Sequence, residues 1–270
     1  MAASTHDKRD AFRQLHQSGC FVLPNPWDVG SARILEHLGF KALASTSAGM
    51  AWAMGRADGA VGLDEVLAHL SSLAHATDLP LNADFENAFA EAPDAVARNV
   101  ALAVDTGLAG LSVEDFSGDA ERGLYDFDLA VARVAAARAV IDRSQSGVLL
   151  TARSEGFIRG APDMAETIRR LQAFSKAGAD CLYAPGLRDE AQVREVVAAA
   201  APKPVNFLST GIPVATVAEW GPRRISLGGA LASLAFKAML NAADEIANQG
   251  TFTAVSGSKG PALNPIFSGG

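Results

Sequence analysis

Short apolar runs alternate with amphipathic stretches along most of the chain. Residues 21–24, Phe-Val-Leu-Pro, predict a strand, and the helix after it is expected to open at Ser31 as its N-cap. Residues 41–45 predict a second strand, followed by a long uncharged loop and a helix over about 63–76. Residues 79–84 predict a third strand. Pro93, suited to a first helical position, starts a helix that runs to Asp105. Residues 111–114 predict a fourth strand. The next helix, over 128–142, sets Leu129, Val131, Val134 and Val140 against a polar face of Arg133, Arg138 and Arg143. Further strands are expected at 148–152, 181–184, 204–208 and 224–227. Helices follow them over 164–177, 190–200, about 214–219 and 229–248, and Gly178 ends the first of these as a left-handed cap.

Short buried strands that are each followed by a helix pair in parallel. Eight such units predict an α/β fold of the (β/α)8 TIM barrel type, with a doubly wound open sheet as the alternative. No linker divides the chain. A single barrel domain over 1–250 is expected, then a Gly-, Ser- and Pro-rich tail over 251–270 that would order against a partner subunit.

Composition supports this picture and removes some functions. Hydrophobic residues make up 49% and charged residues 20%, enough for a large core and too little charge for disorder. The net charge is −7 and no Lys/Arg-rich run occurs, so no nucleic-acid partner is expected. Cys20 and Cys181 are far apart, which is neither a disulfide framework nor a metal motif, and a cytoplasmic location is expected. No signal peptide is expected behind the charged N-terminus. The longest uncharged run, 204–218, is too short and polar to span a membrane.

A barrel carries its chemistry at the C-terminal ends of its strands. Those ends are Ser45-Thr46-Ser47, then Asp84 with Glu86, Glu114-Asp115, Arg153 with Glu155, and Asn206 with Ser209. Asp84, Glu86 and Glu114 on neighbouring ends would repel one another unless a proton or cation intervened. Hard oxygen donors point to Mg²⁺ or Mn²⁺. Alternatively these acids cap the following helices or pair with Arg. The fork of Arg153 suits a substrate carboxylate, or else braces Glu114 or Glu155. None of the five histidines (His6, His16, His37, His69, His75) falls at a strand end, which disfavours a triad or a His-ligated zinc. There is no dinucleotide or P-loop glycine motif. Gly228-Gly229 reads as close backbone packing rather than a phosphate site.

The chain resembles the isocitrate lyase/phosphoenolpyruvate mutase superfamily over roughly residues 21–248. The resemblance rests on Pro24-Asn25-Pro26-Trp27-Asp28-Val29-Gly30-Ser31-Ala32-Arg33, Ser45-Thr46-Ser47-Ala48-Gly49, Asn82-Ala83-Asp84-Phe85-Glu86, Val113-Glu114-Asp115 and Thr151-Ala152-Arg153, in this order. It implies a barrel whose last helix is exchanged between subunits, as a homodimer or homotetramer, and a bound Mg²⁺. It implies 2-oxo or 2-hydroxy acid substrates, cleaved or formed at a C–C or P–C bond. By the same resemblance Asp84, Glu86 and Glu114 are the metal acids, and Asp58 is an acid on a gating loop over 48–62. Ser45, Thr46, Ser47 and Arg153 hold the substrate carboxylate and oxo group, and Asn206 and Ser209 are distal contacts.

Two departures from the pattern matter. The metal motif Asp-x-Asp is here Asp84-Phe85-Glu86, followed by Asn87-Ala88-Phe89 in place of a Gly-Tyr-Gly-like turn. The loop after the fourth strand, 116–125, lacks both the lyase cysteine and the mutase Lys-Thr-Asn. Isocitrate and methylisocitrate lyase activities are therefore not expected. The expected chemistry is a Mg²⁺-dependent lyase or decarboxylase reaction through a pyruvoyl enolate stabilised by the cation and Arg153, with Glu121, Tyr125 or water as proton source. The alternatives are a P–C bond enzyme on the same scaffold and a barrel that binds a 2-oxo acid without turnover.

Overall fold

The computed structural model describes residues 2–209, 211–256 and 263–268. It opens with a helix that the strand–helix pattern leaves out, α1 (Thr5–Leu15), capped reciprocally by Ser4 and Asp7. The first half then runs β1 (Phe21–Leu23), α2 (Val29–His37), β2 (Leu43–Ala44), α3 (Ser47–Ala53), α4 (Leu63–Ala76), β3 (Leu81–Asp84), α5 (Pro93–Asp105) and β4 (Gly110–Glu114). The second half runs α6 (Phe127–Ser144), β5 (Leu149–Arg153), α7 (Met164–Lys176), β6 (Cys181–Tyr183), α8 (Glu190–Ala200), β7 (Val205–Leu208), α9 (Val214–Trp220), β8 (Arg224–Ser226), α10 (Ala230–Gln249) and α11 (Leu263–Phe267).

All eight strands are parallel, in the order β1-β8-β7-β6-β5-β4-β3-β2. The Ala44 N–H donates to Pro24 O at 3.0 Å, which joins β2 to the end of β1 and closes the ring. The fold is the (β/α)8 barrel that the pattern predicts, and the open sheet is excluded. β4 and β5 pair in register from Gly110 opposite Leu149 to Glu114 opposite Arg153, so the register sets that acid beside that arginine.

α1 closes the N-terminal end of the barrel. Phe12 is fully buried with Leu23, Ala42, Ala44, Ala109 and Leu149. Lys8 donates to Ala74 O and Thr77 O, Arg9 to Val104 O and Leu108 O, and Arg13 to Gly147 O. The α1 cations thus meet carbonyls at and beyond the C-terminal ends of α4, α5 and α6, where unpaired acceptors concentrate negative partial charge. A Cβ on Gly110 would lie 2.6 Å from Phe12 Cε1, so only glycine lets this plug seat.

Three local expectations are corrected. The N-cap of α2 is Asp28, whose side chain accepts from the Ser31 N–H at 2.6 Å; Ser31 is the third helical residue and bonds back to Asp28 N–H. The uncharged stretch after β2 begins as helix α3, because Thr46 caps it. Arg133, placed on the polar face of α6 by the pattern, is 1% exposed. The inward face of α6 is Ala130, Arg133, Val134, Ala137 and Ile141, and backbone carbonyls from another part of the chain solvate the guanidinium.

α10 has one buried residue, Ala232, and its Leu234, Met239 and Leu240 are 66%, 58% and 62% exposed. Gly49 of α3 meets its first turn. A Cβ there would lie 2.9 Å from Trp27 Cβ and 3.1 Å from Ala232 Cβ. In the tail, α11 lies against α2 of the same chain, while 257–262 and 269–270 fall outside the described residues. No described helix is long and apolar enough to cross a membrane.

Candidate active site

The C-terminal strand ends surround an open cavity of about 1070 Å³. Ser45, Thr46, Ser47, Asp58, Asp84, Glu86, Glu114, Arg153, Asn206 and Ser209 all line it, as does Tyr125; Glu121, the other side chain expected as a proton source, does not.

Arg153 is the hub. Its Nη1 donates to Asp84 Oδ1 at 2.6 Å, its Nε to Glu155 Oε1 at 2.9 Å, and its Nη2 lies 3.1 Å from Glu114 Oε2. The Tyr183 ring stands 5.3 Å from the guanidinium carbon. The fork thus spans three carboxylates from three strand ends, the bracing arrangement that the sequence offered beside a grip on the substrate. Around it, the acids Asp58, Asp84, Glu86, Glu114 and Glu155 line the same cavity as Arg153 and Arg159, an excess of acids over arginines. Burial, then the charges of Asp84 and Asp58, push the Glu86 carboxyl up to about 7. Burial and Glu155 hold Glu114 well above the usual carboxylate range. Asp115 points away, to Arg170 on α7 at 3.1 Å, and burial raises it to about 6.

Asp84 is fixed from both sides. Its backbone N–H donates to Ser45 Oγ at 2.8 Å, and its Oδ2 accepts from the Ser47 N–H at 3.0 Å. Thr46 spends its hydroxyl on the Gly49 N–H. Asn206 is held at the barrel floor, donating to Ser226 Oγ at 2.9 Å and accepting from Arg224 Nε at 2.8 Å. Ser209 follows β7, its N–H on Ser226 O. Asp58 sits in the exposed run 52–60 after α3, within the stretch expected to gate the site.

The turn after β3 accounts for the first departure noted in the sequence. Glu86, Ala88 and Phe89 all take positive φ, +46°, +57° and +53°, with no glycine among them. Each such residue costs about 1–3 kcal/mol and persists only where its surroundings over-determine it. Here they do. Arg133 donates to the carbonyls of Asn87, Ala90 and Glu91, the last at 2.9 Å. Asn99 donates to Ala88 O at 2.9 Å, and Asn87 Oδ1 accepts from the Phe89 N–H at 2.9 Å. The Arg133 guanidinium lies 4.1 Å from the Tyr125 ring centroid, and Tyr125 joins the cavity wall. The glycines of the usual turn are replaced by a buried cation that gathers its carbonyls.

The donor set suits a hard divalent cation. Among the described residues no three His, Cys, Asp or Glu side chains converge into a cage. Mg²⁺ does not need one: it keeps several waters and takes one or two carboxylates. Asp84 and Glu86 supply two, and burial together with the neighbouring Asp84 and Asp58 carboxylates makes a bare Glu86 carboxylate costly.

Comparison with known proteins agrees with this geometry. The family model described as phosphoenolpyruvate phosphomutase matches residues 12–247. The chain belongs to that family. An oxaloacetate decarboxylase of Pseudomonas entomophila is 31% identical, over 72% of this chain and 68% of its own. A solved structure from Burkholderia cenocepacia J2315 is 40% identical with a TM-score of 0.94, covering 98% of this chain and 97% of its own. The structure of an oxaloacetate acetylhydrolase in complex with oxalate is 26% identical with a TM-score of 0.86, covering 97% and 93%. The superfamily resemblance read from the sequence therefore holds. Arg133 and Arg159 escaped that reading. The first is hidden in an amphipathic helix, and the second follows Glu155 by four positions in a loop without a motif.

Proposed function

We propose that this protein is a Mg²⁺- or Mn²⁺-dependent lyase or decarboxylase that breaks a C–C bond of a small 2-oxo or 2-hydroxy acid. The observation that carries this reading is the pair Asp84 and Glu86 at the barrel mouth, acidic beyond what Arg153 neutralises. Family membership and the similarity to two proteins named for oxaloacetate chemistry support it. When bound, the cation supplies the Lewis acid that polarises the 2-oxo group. Asp84 and Glu86 would hold it, with Ser47 and Arg153 fixing the Asp84 carboxylate. Glu114 keeps Arg153 in place from below. Asp58 lines the cavity, and the exposed run around it would close over the opening and exclude water during turnover. The exposed stripe of α10 fits exchange with a neighbouring subunit in a homodimer or homotetramer.

The test is turnover of metal-loaded protein across a panel of 2-oxo acids, 2-hydroxy acids and phosphonates. Product from an oxaloacetate-like acid, abolished by chelation and restored by Mg²⁺, is expected. Turnover of a phosphonate alone would move the protein to P–C chemistry. Full activity after exhaustive chelation would remove the metal.

A further inference from the structure

Two guanidinium groups stand at the acidic wall of the cavity, and they are not equivalent. Arg153 spends its fork on Asp84, Glu114 and Glu155 at 2.6 to 3.1 Å. Arg159 sits on the turn after β5, with its backbone N–H on Glu155 O at 3.0 Å. Its side chain lines the cavity and is 40% exposed. Its nearest carboxylate oxygens, Glu114 Oε1 and Glu155 Oε2, are both 3.6 Å away, beyond hydrogen-bond distance. Glu155 Oε2 is itself buried without a hydrogen-bond partner among the described residues. The Arg159 guanidinium carbon lies 3.9 Å from the centroid of the Phe116 ring. Stacking of this kind fixes the plane of the fork and leaves its in-plane N–H groups free to form closer bonds.

A third arginine at the cavity, Arg224, is not comparable. It is 2% exposed and tied to Asn206 and Asn82 at the barrel floor. Arg159 is thus the cavity arginine that combines exposure with only loose ion pairs, at 3.6 Å, and no side-chain hydrogen bond among the described residues. An anionic substrate approaching this acidic wall is repelled unless a cation meets it. An arginine held flat against an aromatic ring suits a planar carboxylate, which it can take in two parallel bonds.

We infer that Arg159 receives a second carboxylate, at the far end of the substrate from its 2-oxo acid head, so that the site selects dicarboxylates over monocarboxylates. This rests on the reading of the site as one for 2-oxo or 2-hydroxy acids. Arg159 is a specificity residue, with Phe116 as the surface that orients it. Its removal leaves Glu114 and Glu155 with their closer partner, Arg153, so the acidic hub stays assembled.

The test measures binding to the full chain at saturating Mn²⁺ by calorimetry, with three probes. Oxalate carries only the head group, 3,3-difluorooxaloacetate adds a distal carboxylate, and a 3-phosphono-2-oxo acid adds a distal phosphonate. The Arg159→Gln variant is expected to lose about tenfold to a hundredfold affinity for difluorooxaloacetate while oxalate binding stays within about twofold. Arg159→Lys should recover part of the loss, and Phe116→Leu should show a smaller one. Equal losses for both carboxylate probes, or no loss for either, would overturn the inference. A loss confined to the phosphonate would also overturn it. Selective loss of difluorooxaloacetate binding, with oxalate binding kept, in a protein that turns over no 2-oxo acid would uphold the role of Arg159 and refute the proposed lyase activity.

Discussion

Arg153 Nη1 lies 2.6 Å from Asp84 Oδ1, across two strands of the barrel. With its contacts to Glu114 and Glu155, this makes one guanidinium the common counter-ion of three strand ends. Its side chain is 14% exposed, so the acids it leaves behind would stay buried and uncompensated. Arg153→Met is expected to lower the unfolding free energy by about 3–5 kcal/mol. Urea denaturation checks this, and a change below about 1 kcal/mol would mean that the hub contributes nothing net.

Metal binding should depend on pH through Glu86. Its carboxyl is raised to about 7 in the folded chain, against 4.5 as its ordinary value. The extra proton held by the fold favours folding at low pH, and that contribution is lost as pH rises from about 4.5 to about 7. Binding of Mn²⁺ must displace the same proton, so affinity should tighten as pH rises toward about 7 and then level off. Calorimetry in buffers of different ionisation enthalpy would show proton release near pH 6.5 that disappears in Glu86→Gln. Flat affinity between pH 5.5 and 8 in the unaltered protein would contradict it.

Arg133 should govern the shape of the turn that carries Glu86. Arg133→Met leaves the carbonyls of Asn87, Ala90 and Glu91 without their buried donor, at about 1–3 kcal/mol each. Faster amide exchange over 86–91 and weaker Mn²⁺ binding are expected together. Weaker folding with unchanged Mn²⁺ affinity would make Arg133 a packing residue only.

The uncovered face of α10 should bring chains together. Leu234, Met239 and Leu240 are each more than half exposed on a helix with one buried residue. Light scattering at micromolar concentration should report a dimer or tetramer, and Leu240→Glu should shift it toward monomer. A monomeric unaltered chain would refute the assembly.

The strands and their partner helices were legible because each buried run is local and apolar, and the register of β4 and β5 then brought Glu114 to Arg153 without further information. The acids, Arg153, Asn206 and Ser209 were legible because strand ends converge in any closed barrel. Charged groups satisfied from far along the chain were not. Arg133 looks solvent-facing until the carbonyls more than forty residues earlier are in place, at a separation of 42 for Glu91. α1 is strongly polar along its length, and its Lys8 reaches carbonyls 66 and 69 residues away. Periodicity cannot report a cation whose solvent is a distant backbone.

The plug formed by α1 makes the barrel a dead-end vessel rather than a conduit. The cavity of about 1070 Å³ lies above a floor packed with side chains, as barrel interiors are, so its opening is the rim. Whatever enters must trade places with water at the same rim where Asp58 and Arg159 stand. Product, displaced solvent and the next substrate therefore queue at a single doorway. Turnover is then open to throttling by traffic through that rim, whatever the speed of the chemistry below it.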